Sequence, residues 1–326
     1  MALQSEWQCL KNSFMTFEDI NSLGVKREPF LFIIDFKAQN IILLPLNKLG
    51  ENNIEFEINE KYKLKSHNDF LQKDGISFDM YKKKFDSVIE KIKDGETYLL
   101  NLTQPTCIKT PLTLKEIYNE ANAPYKLRYK DEFVCFSPEK FISIKGTKIS
   151  TYPMKGTIDA SIPNAREIIL EDKKEMAEHV MVVDLLRNDL SMVAKNVKVE
   201  EFRYITAIEA GEKKLLHVSS HVSGDVGEDW HCRIGDILKA LLPAGSISGA
   251  PKKSTLEIIQ RVEGYERGYF SGVFGVYDGE TLDSAVMIRF VQKTKDGYMY
   301  KSGGGITLDS DALSEYNELL DKVYLP

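Results

Sequence analysis

FSPEKFISIKGTKISTYPMKGT, residues 136–157, holds two short runs rich in aromatic and β-branched residues on either side of a Gly146-Thr147 step. The pattern predicts a β-hairpin with strands near 140–145 and 148–152. A turn at Gly146 and Thr147 brings Glu139 and Lys155 face to face at the open end. A carboxyl and an amine so placed suit a general acid and a nucleophile, and equally a plain cross-strand ion pair. Lys155 sits between a proline turn and a Gly-Thr step, framing that a surface lysine does not need.

Outward from the hairpin, the same kind of run recurs. "FLFIIDF" (30–36) and "NIILLPL" (40–46) read as an early hairpin, followed by a polar, linker-like stretch to about residue 77. "SFDMYKKKFDSVIEKIKDG" (77–95) spaces Met80, Phe85, Val88, Ile89 and Ile92 along one helical face ended by Gly95. "TYLLNLTQ" (97–104) and 126–136 read as strands, 164–190 as one long helical stretch, and 196–205 and 213–223 as strands. Helices near 231–242 and 251–262 precede strands at 269–278, 282–291 and 298–303 and a closing helix at 312–323. Hairpin-like strands broken by single helices predict an α+β fold with largely antiparallel sheets. The expected division is a strand region over 1–77 and a larger domain over 78–326.

With 326 residues, 43% hydrophobic and 28% charged, the chain has the balance of a soluble globular protein. Its longest apolar runs fall short of the roughly 18 to 20 residues of a membrane span, and its amino terminus lacks a secretory apolar stretch, so the expectation is cytoplasmic, with no membrane partner. A net charge of −6 with evenly spread lysines argues against nucleic acid. Cys9, Cys107, Cys135 and Cys232 make neither a CxxC pair nor a metal spacing with the five histidines, so reduced thiols are expected.

Two acidic couples stand out, Glu175 with Glu178 and Glu315 with Glu318, each three residues apart beside an apolar stripe. Four carboxylates without sulfur or imidazole suit a hard cation such as Mg²⁺. Glu318 and Lys322 also have the spacing of an ordinary helix-surface ion pair. Two glycine-rich turns open helices, "PAGSISGAPKKSTLEII" (243–259) and "KSGGGITLDSDAL" (301–313); their free N–H groups suit an anion, or they are simply tight turns.

The ordered motifs "SPEKF", "PMKGT", "AEHVMVVDLLRNDL", "LHVSSHVSG", "GSISGAPK", "SGVFGVYDG", "MIRF", "SGGGI" and "EYNELLDK" resemble the chorismate-utilising enzymes over about residues 78–323, most closely their aminodeoxychorismate synthase component I branch. The resemblance implies antiparallel sheets packed as a sandwich with helices outside. It implies Mg²⁺ on Glu178 and Glu318, supported by Glu175 and Glu315. Lys155 would be the nucleophile, Glu139 the acid for the leaving C4 hydroxyl, and His217 a catalytic neighbour of the ring. Ser248, Gly249, Arg289, Gly303, Gly304, Gly305, Lys322 and Thr157 would hold the substrate.

The related anthranilate synthases carry alanine at the position of Lys155, and salicylate and isochorismate synthases carry a water-activating lysine at the position of Leu99. The family usually has tyrosine where Phe270 stands, so one carboxylate-binding hydroxyl is expected to be missing. The implied partners are chorismate, ammonia, a glutamine amidotransferase subunit, component II, and a separate aminodeoxychorismate lyase. An anthranilate synthase large subunit and a non-catalytic chorismate-binding paralogue are the competing readings.

Overall fold

The computed structural model describes residues 15–59, 71–210 and 213–325. Cys9 and residues 60–70 of the expected linker lie outside the described residues. Two antiparallel sheets make up the α+β core. In chain-spatial order the first runs Met154–Asp159, Lys213–Asp225, Lys148–Thr151, Lys140–Lys145, Leu282–Val286, Val273–Tyr277, Phe30–Ile34, Ile41–Pro45, with Lys195–Ala210 paired to Lys213–Asp225. The second runs Gly249–Ala250, Leu99–Lys109, Gly297–Ile306, Phe290–Thr294, Phe133–Ser137, Tyr125–Tyr129, Ile54–Ile58, with Gln72–Asp74 paired to Leu99–Lys109. The segment before residue 78 thus adds strands to both sheets.

The sheets pack face to face. Leu31, Ile33, Phe274 and Ala285 of the first meet Leu127, Phe133, Cys135 and Phe290 of the second in one buried layer. Phe30, Phe32 and Ile34 point the opposite way, onto Ile20, Trp230 and Ile237 of the helical layer outside. A strand covered on both faces has no solvent side to mark with polar residues, which is why FLFII is an unbroken apolar run. Helices Phe78–Lys93, Lys252–Glu263 and Ala312–Asp321 cover the far face of the second sheet through Tyr81, Phe85, Ile258 and Leu319 against Leu100, Leu102 and Ile306.

Several sequence expectations are revised. Tyr81, not Met80, joins Phe85, Val88 and Ile92 on the buried face; Met80 is exposed. In the last helix Leu313 is exposed while Glu315 and Leu319 are buried, because neighbouring helical stripes differ by one residue in register. The stretch 164–190 is two helices, Ala165–Glu171 and Lys173–Ser191, broken at Asp172, whose extended backbone lets its side chain cap Glu175 N at 2.9 Å. Residues 282–291 are not one strand. The chain leaves the first sheet at Val286, turns through Arg289 at φ 51°, and enters the second as Phe290–Thr294. Cys107, Cys135 and Cys232 are free thiols.

A buried ion pair ties the second sheet to its helices. Glu263 and Arg267 are 2% and 3% exposed. The Glu263 carboxylate accepts from Arg267 Nη2 and Nε at 2.6 and 2.9 Å and from Thr103 N and Oγ1 at 2.8 and 2.7 Å. Arg267 also donates to Ile247 O and Asn101 O. Removing one partner strands a buried charge, so Glu263→Ala is expected to lower unfolding free energy by about 3–5 kcal/mol in urea titrations. A loss below about 1 kcal/mol would show that the pair is dispensable.

Candidate active site

The predicted hairpin forms with the expected register, Ser143 opposite Ser150 and Ile144 opposite Ile149. It ends, however, at Thr151, so Glu139 and Lys155 are not cross-strand partners. After Pro153 the chain moves to a new strand, Met154–Asp159, which pairs with Lys213–Asp225. The register slips between Met154 and Thr157, and Gly156 takes φ 87°. A bulge of this kind re-aims side chains, and here it turns Lys155 inward.

Glu139 and Lys155 nevertheless open onto one cavity of about 270 Å³ between the sheets. Of the residues expected at the site, Thr157, His217, Gly249, Arg289, Gly303, Gly304, Gly305, Glu318 and Lys322 also line it. Ser248 does not: it is fully buried, with its hydroxyl donating to Ala244 O at 2.8 Å. Its neighbour Ser246 faces the cavity and donates to Glu139 Oε1 at 2.5 Å.

Burial pushes the Glu139 carboxyl above its usual range, against the opposing pull of the Ser246 hydrogen bond and the Lys155 and Lys322 charges. The group is therefore biased toward its protonated form. Lys155 Nζ lies 2.7 Å from Glu178 Oε2. Burial favours its neutral amine, but the charge and hydrogen bond of Glu178, with Glu318 and Glu175 behind, outweigh burial and hold it as an ammonium. His217 sits across from Thr157, its Nδ1 3.1 Å from the threonine Oγ1. Burial and then Arg289 lower its pKa, which keeps the ring neutral.

Arg289 reaches the cavity because of the left-handed turn between the sheets. Its guanidinium lies over the Tyr324 ring at 5.2 Å, and its buried Nε has no hydrogen-bond partner among the described residues. Lys322 pairs with Glu318 at 2.6 Å and donates to Gly303 O at 2.9 Å. The helix-surface ion pair is thus present, and it stands at the cavity wall.

Among the described residues no three histidine, cysteine, aspartate or glutamate side chains converge as a preformed metal cage. The donor chemistry still fits a hard cation. Glu318 lines the cavity and Glu178 touches Lys155. Glu175 Oε2 and Glu315 Oε2 each stand 3.2 Å from where a Cβ would be on Gly156 and Gly304, so a side chain at either glycine would crowd them. All four offer carboxylate oxygen only.

Sequence reasoning missed Ser246, Asn101, Thr103 and Lys301 as cavity residues. Leu99, Asn101 and Thr103 alternate along one strand face, a period-two signal that was available once Leu99 was placed. Lys301 had no local signal.

Comparison with known proteins matches residues 38–325 to the family described as chorismate binding enzyme. An uncharacterised PabA-like protein of Haemophilus influenzae is 47% identical over 95% of this chain and 95% of its own length. Aminodeoxychorismate synthase component 1 of Bacillus subtilis is 32% identical over 74% of this chain and 54% of its own, and an anthranilate synthase component 1 of Haloarcula marismortui is 34% identical over 72% and 50%. Among solved structures, the menaquinone-specific isochorismate synthase MenF of Escherichia coli superposes with a TM-score of 0.72 at 15% identity, covering 93% of this chain and 79% of MenF. Anthranilate synthase component I of Streptococcus pneumoniae gives 0.66 at 26% identity over 77% and 58%.

Proposed function

Because the chain belongs to the chorismate-binding enzyme family, we propose that it is an aminodeoxychorismate synthase component I, replacing the C4 hydroxyl of chorismate with ammonia to give 4-amino-4-deoxychorismate. One observation carries the reading: Lys155 and a Glu139 biased toward its protonated form open onto the same cavity, each held by its own partner. Leu99 adds the negative evidence, since an apolar side chain there activates no water for ring hydroxylation.

In the proposed reaction the Lys155 amine forms a bond to ring C2 as the C4–O bond breaks, and Glu139 gives its proton to the departing oxygen, releasing water. Ammonia then bonds to C4 and expels Lys155, and Glu139 recovers a proton from the new C4 ammonium. Glu178 and Glu318 would hold Mg²⁺, with Glu175 and Glu315 behind them, and that cation would supply charge neutralisation beside the ring carboxylate. With Glu178 and Glu318 so engaged, their pull on the Lys155 proton would weaken, and burial would then shift the balance toward the free amine. Arg289, Lys322 and the Gly303 to Gly305 backbone are suited to the substrate's anionic groups. Ammonia would come from a glutamine amidotransferase subunit, and a separate lyase would release para-aminobenzoate for folate synthesis. No helix among the described residues is long and apolar enough to cross a membrane.

Purified protein with chorismate, Mg²⁺ and ammonium tests this. The expected result is loss of chorismate with pyruvate released only after a lyase is added. Pyruvate and fluorescent anthranilate without lyase would assign anthranilate synthase instead, and no turnover would favour the non-catalytic reading.

A further inference from the structure

Lys301 is a buried cation that the proposed reaction leaves unused. It lies on the strand Gly297–Ile306, two and four residues before Gly303 and Gly305 and on the same strand face, and it lines the cavity while only 4% exposed. Its ammonium makes no ion pair among the described residues. It donates to Arg267 O at 2.8 Å and Glu266 O at 3.5 Å and lies within 6 Å of the Tyr265 and Phe290 rings. The carboxylate that acts on it, Glu263, is already engaged by Arg267 and Thr103. Burial, then Arg267, push the Lys301 pKa down to about 8, with Glu263 opposing them. The ligand-free protein therefore carries one more positive charge here than it neutralises, an expensive arrangement unless an anion arrives.

The position of Lys301 says which anion. Gly305 lies 3.8 Å from Lys155 Nζ, measured from where its Cβ would be, while Lys301 sits roughly 13 Å further down the strand. It therefore belongs to the end of the cavity away from the four glutamates. Phe290 stands directly across from it, and the neighbouring wall is Phe270, Ser271 and Arg289. The Phe270 side chain contributes no polar atom at that end.

We propose that Lys301 is a carboxylate anchor, pairing with the enolpyruvyl carboxylate of the substrate at the Phe270–Arg289 end of the cavity, an inference that rests on chorismate being the substrate. An anchor of this kind binds ground state and transition state alike, so its loss raises KM and leaves kcat largely in place.

The test is steady-state kinetics and thermal unfolding of Lys301→Met, Lys301→Gln and Lys301→Arg beside the unaltered chain. Lys301→Met is expected to raise KM for chorismate roughly ten- to hundredfold with kcat within about twofold, and Lys301→Arg to restore most of the loss. Its ligand-free Tm should be unchanged or higher, because the apolar side chain removes an uncompensated charge and Arg267 O keeps its bond from Phe270 N. A lysine with only a structural role behaves oppositely. A fall in Tm for both the Met and Gln variants, or an unchanged KM in an active enzyme, would overturn the proposal. Failure of the unaltered chain to bind or consume chorismate would overturn the functional reading, and this inference with it.

Discussion

Lys155→Ala is expected to reduce ammonia-dependent turnover of chorismate on the order of 10³-fold or more, the scale seen when a positioned nucleophile is lost. The side chain stands inside the cavity from a bulged strand, and Thr157 Oγ1, 3.1 Å from His217 Nδ1, follows two residues later. Intact mass spectrometry of enzyme with chorismate and no ammonia should reveal an adduct of chorismate less one water, absent from the variant. Alanine also strips Glu178 of its ammonium partner, which by itself disturbs the site. Lys155→Arg separates the two effects. Its guanidinium keeps a positive charge near Glu178 yet stays protonated, so it restores the electrostatics without the nucleophile. Turnover by either variant at the level of the unaltered enzyme would remove the covalent role.

Glu139→Gln is expected to cost about 10²- to 10⁴-fold in kcat, the range for losing a general acid, while making the folded protein more stable at neutral pH. The two effects come from one cause. Burial raises the Glu139 pKa, so the folded state holds this proton more tightly than the unfolded chain, whose glutamates titrate near about 4.3. The stability associated with the proton is full below that unfolded value and is lost as the pH rises through the folded one. Glutamine stays neutral throughout and can still pair with Ser246. The variant's advantage in Tm should therefore grow as pH rises above about 4 and be absent in acid. A Tm advantage that does not depend on pH would show that packing, not protonation, sets the difference. The pair of results would mark Glu139 as a residue that trades stability for function.

Local pattern made much of this legible. The turn at Gly146 and Thr147 was readable because a two-strand register needs only near neighbours, and the observed pairing of Ser143 with Ser150 follows from it. The antiparallel sheets were readable for the same reason, and the i, i+3 spacing made the two glutamate couples visible. Where the reading failed, two local patterns were compatible and packing chose between them. Tyr81 replaced Met80 on the buried face, and Glu315 took the buried place expected for Leu313.

Four residues show where tertiary structure took over. Glu139 and Lys155 share a cavity through two different strands rather than one hairpin, because the chain leaves the hairpin at Thr151 to pair with Lys213–Asp225. Arg289 reaches the site because the chain crosses between sheets there, at a left-handed residue in what reads as a continuous strand. Lys301 looks like any strand lysine until the fold buries it. The sequence by itself determined most of the strands, the hairpin at Gly146, the acidic couples and the kind of chemistry the side chains can perform, since those depend on contacts a few residues long. Which charges lose their water, and which of them face one another, was decided only by the packing of two sheets, because desolvation and Coulomb energy depend on neighbours from tens to more than a hundred residues away.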